Sequence, residues 1–269
     1  MKRRKRKHNY SLIIGIIITA TVLAVAVLGF FWTPFSTTEM SRELKFAPPS
    51  WPHLFGTDNF GRDIFSRVMQ GIGTTFLVAA VTVIFGMIFG TALGMVSGYI
   101  GGWFDEIIMR ISDVLNAFPS VLLALVFVSF FGTGLLNIIM ALGILFIPSF
   151  SRIARSEMLR LKELQFVQSA RLSKAGSARI IFAHILPNAY PTILSSAAVG
   201  FNNAVLAEAG MSYLGLGVQP PDASLGRMVS EAGGFLTQAP WYSMAPGIVI
   251  IIIALGVTLI SDGIASQNG

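Results

Sequence analysis

Two stretches of this sequence carry no charge at all, Val68 to Phe104 and Val114 to Ser151, and they limit the possible folds more than any other feature. About 20 apolar residues cross a hydrocarbon core of about 30 Å. A segment in lipid has to satisfy its own backbone hydrogen bonds, which a helix does. Leu12 to Trp32, Ala189 to Ala207 and Met244 to Ile260 are further runs of this kind. Charged residues make up only 12% of the chain, where a soluble domain carries about 25%, and the mean hydropathy is +0.71. The expected fold class is an all-α integral membrane protein.

The run from Val114 to Ser151 is too long for one span, and Gly132-Thr133-Gly134 divides it. Six transmembrane helices follow, near residues 12–32, 73–98, 107–131, 135–151, 189–207 and 244–260. Phe118-Pro119 predicts a kink in the third, and Pro148 a bend in the fourth. Gly86, Gly90, Gly94 and Gly98 put a small-residue stripe on one face of the second, for close packing or for sliding during gating. A cleaved signal peptide ending at Ala24-Val25-Ala26 is the rival reading of the first run, which however continues past that site.

Between the fourth and fifth spans lies a basic segment of about 40 residues, longer than a helix-to-helix turn needs. It holds Arg152, Arg155, Arg160, Lys162, Arg171, Lys174 and Arg179 against Glu157 and Glu163. With the six basic residues of Lys2 to Lys7 it accounts for 13 of the 19 Lys and Arg. The positive-inside bias puts both blocks, and both termini, in the cytoplasm. No soluble module accompanies the charge, so nucleic acid is not the expected partner. There is no cysteine, which removes disulfides, thiol chemistry and thiolate metal sites.

Inside the membrane the polar candidates are few. Ser195, Ser196, Asn202 and Asn203 make the fifth span the most polar, and they should face neighbouring helices or a water-filled path. Glu208 ends that run close to the outer surface. Asp113 faces a polar cavity or pairs with Arg110 three residues back, and the pairing is the preferred reading. The mid-membrane segments lack the ionisable relay of an ion-driven carrier, although a stand-alone secondary transporter or channel remains the alternative. His8, His53 and His184 fall outside the spans, which disfavours an intramembrane enzyme. In the loop before the second span, Gly56 and Gly61 have phosphate-loop spacing, but Arg62-Asp63 replaces Lys-Ser/Thr. Neither the strand nor the helix that such a loop requires is expected there, and Asp63 would repel phosphate. A glycine-turned loop whose charged residues cap the next helix is the alternative.

The stretch from Phe166 to Pro191 resembles the EAA loop of permease subunits in binding-protein-dependent ATP-binding cassette importers. That signature runs Glu-Ala-Ala, three residues, Gly, nine residues, Ile-x-Leu-Pro. Here Gln168, Ser169 and Ala170 fill the first three places, Lys174 the glycine place, and Leu186 and Pro187 the end, with Ile185 close to the family isoleucine. Gly176 comes two residues late and is left to supply the bend. GTDNFGRD at 56–63, Gly98 to Trp103 with Phe118-Pro119 beyond, and LAEAGMSYLGLGVQPP at 206–221 resemble the subfamily that imports peptides and nickel, and within it the second permease.

The resemblance implies a type I (MetI-like) permease fold, with a permease domain at 73–263, residues 1–72 before it, a coupling loop at 152–190 and a tail at 264–269. It implies a bacterial or archaeal cell membrane, and contacts to a cytoplasmic ATPase through Gln168, Ser169, Ala170, Lys174, Gly176, Ile181, Ile185, Leu186 and Pro187. Ile180, Ile181, His184 and Ile185 form a stripe at helical spacing that would dock into that ATPase. Ser195, Ser196, Asn202, Asn203 and Glu208 would line the translocation path. Implied partners are a second permease in a heterodimer, two ATPase subunits, an extracytoplasmic binding protein and membrane lipid. ATP and Mg belong to the ATPase; this chain would bind no cofactor or metal and catalyse nothing. The substrate would be a peptide, nickel or a metal chelate, and spans without His or Cys favour a chelate over the bare ion.

Overall fold

The computed structural model describes residues 10–268, and the basic head Lys2 to Lys7 lies outside them. Ten α-helices carry the described chain: α1 (Tyr10–Phe31), α2 (Ile64–Ile100), α3 (Gly102–Ala117), α4 (Ser120–Phe131), α5 (Leu135–Leu161), α6 (Gln165–Leu172), α7 (Ser177–Arg179), α8 (Leu186–Tyr213), α9 (Leu225–Ala232) and α10 (Pro240–Asn268). A π-helical turn, Ile180–Ile185, joins α7 to α8. Among the described residues the only extended pairing is an isolated bridge between Thr57 and Asp63.

Each expected run falls on helix, but not as six equal spans. Four helices, α1, α2, α5 and α10, are long and apolar enough to cross a membrane, and a fifth crossing exists if α3 and α4 count as one. The 28-residue α8 is long enough but too polar to join them. The kink expected at Phe118-Pro119 is instead a break of 93°. Proline restricts the residue before it to extended geometry, and Phe118 duly ends α3 at φ −95°, ψ 144°.

Two helices outrun their expected limits. α2 begins at Ile64, not near residue 73, because the Asp63 carboxylate caps it, accepting from Ser66 N and Ser66 Oγ at 2.7 Å each. Its 37 residues reach about 55 Å at 1.5 Å per residue. α5 continues to Leu161 and absorbs Arg152, Arg155 and Arg160, with Pro148 buried in its interior. Ala154, Met158 and Leu161 recur at helical spacing and pack with Met95 of α2, so extending the helix buries apolar surface.

α2 is the central strut. Its glycine stripe lies against the α5 backbone: a Cβ at Gly90 would sit 2.6 Å from Ile147 O, and at Gly86 2.6 Å from Phe146 Cβ. The stripe is therefore a packing seam in this conformation. α1 runs beside α10, where Gly15 meets Ile260 and Gly256 meets Ile18.

Residues 33–63 form a loop over the start of α2, and the charges at its end, Asp58, Arg62 and Asp63, are buried. Asp58 accepts from Phe60 N at 2.8 Å, Arg62 N at 3.0 Å and Arg62 Nε at 2.6 Å. Arg62 and Arg67 each approach Glu231 of α9 at 3.5 Å. Arg227 donates to Glu231 at 3.0 Å and Tyr242 Oη does so at 3.1 Å. Gly56 and Gly61 take φ +72° and +76°, and a Cβ at Gly61 would collide with Ser41 O. The glycine-turned capping loop is thus the observed one. The helix that seemed missing does follow, but the Asp63 carboxylate occupies its N-terminus.

Candidate functional site

The basic end of the bundle is built from the ends of α2 and α5 and the segment that follows. Arg155 grips Asp105 of α3 with Nε and Nη2, each at 2.6 Å. One turn earlier Arg152 donates to Asp113 at 2.6 Å, so Asp113 does not pair with Arg110 as expected. Arg110 instead lies 3.6 Å from Glu106 on its own helix. Lys162 Nζ donates to Gly98 O at 3.1 Å, tying the end of α5 to α2. Much of the basic charge therefore serves structure. Lys174 and Arg179 stay exposed, and Arg171 lies over the Tyr99 ring at 5.8 Å.

The expected docking stripe points the wrong way. Ile180, Ile181 and Ile185 are buried among Met95, Ala154, Met158, Leu161 and Ile193 of the same chain. They are correctly spaced for a helix, but periodicity identifies a stripe without saying which neighbour covers it. Ala170 and Leu186 are half-buried against the same cluster, while Gln168, Ser169, Lys174, Gly176 and Pro187 are exposed. Gln168 Nε2 donates back to Glu163 O at 3.0 Å.

What the segment shows to solvent is Leu172, 85% exposed, with Phe182, Leu164 and Phe166. These were missed at the sequence level. Val167 and Ala170 form the inward stripe of α6, and Leu172 falls off that stripe, which is the signal that marks it.

The turn of the segment is at Lys174, not Gly176. Lys174 has φ +57°, whereas Gly176 sits at φ −66° in extended geometry. A left-handed conformation at a residue with a Cβ costs about 1–2 kcal/mol. Lys174→Gly is expected to relieve about 1 kcal/mol of that strain. The check is a raised thermal midpoint for the purified chain; an unchanged or lowered midpoint would show that the lysine side chain compensates.

α8 carries the second candidate surface. Ser195, Ser196, Asn202 and Asn203 share a face with the exposed Val199 and Leu206. Ser195 and Ser196 each donate to their own helix, to Pro191 O and Thr192 O at 2.9 Å. Asn202 Nδ2 reaches Thr258 Oγ1 of α10 at 3.4 Å, and its Oδ1 is buried with no partner among the described residues. Glu208 lies on the opposite face, fully buried. It accepts from Thr75 Oγ1 at 2.8 Å and Ser212 Oγ at 2.6 Å. It does not face an open path, because α2 covers it.

A cavity of about 360 Å³ opens between α2 and the start of α8, lined by Met87, Met95, Ile181, Phe182, Tyr190 and Ile193 among others. It offers a polar substrate almost nothing to bind.

Comparison with known proteins bears on these surfaces. Residues 90–267 match the family model described as binding-protein-dependent transport system inner membrane component. The chain is similar to the dipeptide transport system permease protein DppC of Alkalihalophilus pseudofirmus, with 39% identity over 97% of this chain and 86% of that one. DppC of Haemophilus influenzae is 37% identical over 96% and 90%. The glutathione transport system permease protein GsiD of Pectobacterium atrosepticum is 40% identical over 80% and 72%. Among solved structures, an inward-facing MetNI methionine ABC transporter superposes with a TM-score of 0.63 at 17% identity, over 75% of this chain and 96% of that one. That likeness shows the fold.

Proposed function

The chain belongs to the family of inner membrane components of binding-protein-dependent transport systems, and we propose that it is one of two different permease subunits in a peptide importer driven by a cytoplasmic ATPase. The transport core runs over 73–263, with residues 1–72 before it and 264–269 as a tail. The basic end, with both termini, faces the cytoplasm, as its excess of Lys and Arg favours. The opposite end meets an extracytoplasmic binding protein. This chain does no bond chemistry and holds no cofactor; ATP and Mg act in the partner. The peptide and glutathione transport names of its relatives support a peptide over nickel as substrate.

The observation that carries the reading is the split between the two sides of the segment 162–190. Its inner side, Val167, Ile180, Ile181 and Ile185, is embedded against α2 and α5. Its outer side shows Leu172 and Phe166. A partner that grips the outer side moves the bundle as a rigid body, because packed interiors transmit displacement. Gln168, Ser169, Lys174, Gly176 and Pro187 flank that contact; Ala170, Ile181, Ile185 and Leu186 fix the segment rather than meet the ATPase. The polar face of α8 is the half of the translocation path supplied by this chain, with Ser195, Ser196, Asn202 and Asn203 on it. The unpartnered Asn202 Oδ1 supports that reading, since a buried acceptor needs a donor. Glu208 acts from behind, holding α8 to α2.

Leu172→Asp in the assembled importer tests the coupling. Peptide uptake should fall at least about tenfold, the equivalent of about 1.4 kcal/mol at the contact, with normal membrane insertion. A cross-linker at Ser173 or Ala178 should capture the ATPase in the wild type and lose it in the variant. Wild-type uptake by Leu172→Asp, or gradient-driven uptake by the chain alone, would overturn the reading.

A further inference from the structure

α3 has three sides. At 100° per residue, Asp105, Ile108 and Ser112 turn toward the bundle, with Asp105 and Ser112 buried. Glu106 and Arg110, 66% and 76% exposed at their side chains, form a charged edge. The remaining side is an apolar stripe, Trp103, Ile107, Ile111 and Val114, at successive spacings of four, four and three residues. Trp103 is 77% exposed, Ile111 54% and Val114 60%. A helix on a water-soluble body turns its apolar side to the core. Here the core side is held to α5 by the Asp105–Arg155 pair, with the exposed Asp113–Arg152 pair beside it, so the stripe faces away from the chain.

The direction of α3 indicates what covers that stripe. It breaks by 93° from α4, so if α4 heads across the bilayer, α3 runs along its surface. Past the break, Phe118 and the α4 residues Leu122, Val126 and Phe130 are also exposed and apolar. The 12 residues of α4 reach about 18 Å, short of a core of about 30 Å, which draws α3 into the headgroup boundary. Arg110 on its charged edge and Arg152 beside Asp113 are exposed at the same end, where they can meet phospholipid phosphates.

We propose that α3 is a membrane-surface helix, its Trp103, Ile107, Ile111 and Val114 side seated in the headgroup–acyl boundary of the bilayer and its Asp105 and Asp113 side bolted to α5. Amphipathic helices of this type bury their apolar face about 5–10 Å deep, and tryptophan favours that depth. The result is a fixed depth for the basic end of α5, from which the segment 162–190 departs. The inference needs the membrane fold and is independent of the coupling role of Leu172.

Because the chain has no cysteine, single cysteines at Ile107, Ile111, Val114, Glu106 and Arg110 can carry a spin label. The full chain, assembled with its partner subunits, is placed in vesicles of phosphatidylethanolamine and phosphatidylglycerol. Oxygen, which partitions into lipid, should relax the labels at 107, 111 and 114 several-fold more than a water-soluble nickel chelate does, with the order reversed at 106 and 110. Chelate access at all five positions would overturn the proposal, and so would loss of access to both reagents at 107, 111 and 114, which would mean a protein partner. An independent reading keeps Trp103 and replaces Trp32, Trp51 and Trp241 by Phe. Lipids brominated near the headgroup should then quench its fluorescence; an unquenched Trp103 would also overturn the proposal.

Discussion

Asp58→Ala is expected to destabilise the protein by about 3–5 kcal/mol, the range for removing one member of a buried ionic group. Asp58 is fully buried and offers its carboxylate to two backbone amides and to Arg62 Nε. Arg67, only 1% exposed, lies 3.8 Å away and already has an Nε without a hydrogen-bond partner. Alanine would leave two guanidinium groups buried with Glu231 as their shared counter-charge. Asp58→Asn keeps an acceptor for the amides and loses only the charge, so its cost should be clearly smaller. The check is the unfolding midpoint of the purified chain in detergent, measured for both variants at low and high salt. Ion pairs screened from solvent respond little to salt; an alanine variant that melts within a degree of wild type would show that the cluster contributes no net stability.

Gly94→Leu should be comparably severe, for a steric reason. A Cβ alone at Gly94 would overlap Ser151 O, a backbone atom of α5 that cannot rotate aside. Overpacking a close-packed seam costs about 1–3 kcal/mol and sometimes more. The surplus here falls on the contact between the two helices that hold both the ionic loop and the basic end. Gly73→Ala on the same helix is the control, because its Cβ would find only Ala26 O at 3.6 Å; it should stay within about 0.5 kcal/mol of wild type. Equal losses in the two variants would point to helix propensity or to lipid contact, not to the α2–α5 seam.

The glycine stripe shows how far a linear reading reaches. Four glycines at intervals of four predict a close helix neighbour, but only the fold identifies that neighbour as α5. The isoleucines at 180, 181 and 185 show the opposite outcome. Their spacing predicts a buried stripe, and it is buried, but in the chain itself and not in a partner. Glu208, expected on the translocation path with the polar residues of its run, lies on the opposite face of α8, buried against α2. Thr75 and Ser212, which satisfy it, come from a distant helix and from the next helical turn. Arg152 and Asp113 are 39 positions apart, so local spacing favoured Arg110, which finds Glu106 instead.

Taken alone, the order of residues determined the membrane class, the helical character of every apolar run, a bend at Phe118-Pro119 and the basic character of one end. Each follows from local chemistry: the absence of charge in lipid, the restriction proline places on its neighbour, and the clustering of Lys and Arg. Tertiary structure alone decided which side of the segment 162–190 is left for a partner, where the buried charges find their counter-charges, and why Lys174 rather than Gly176 makes the turn. Those outcomes depend on contacts between residues far apart in the chain, where burial and hydrogen bonding outweigh local preference.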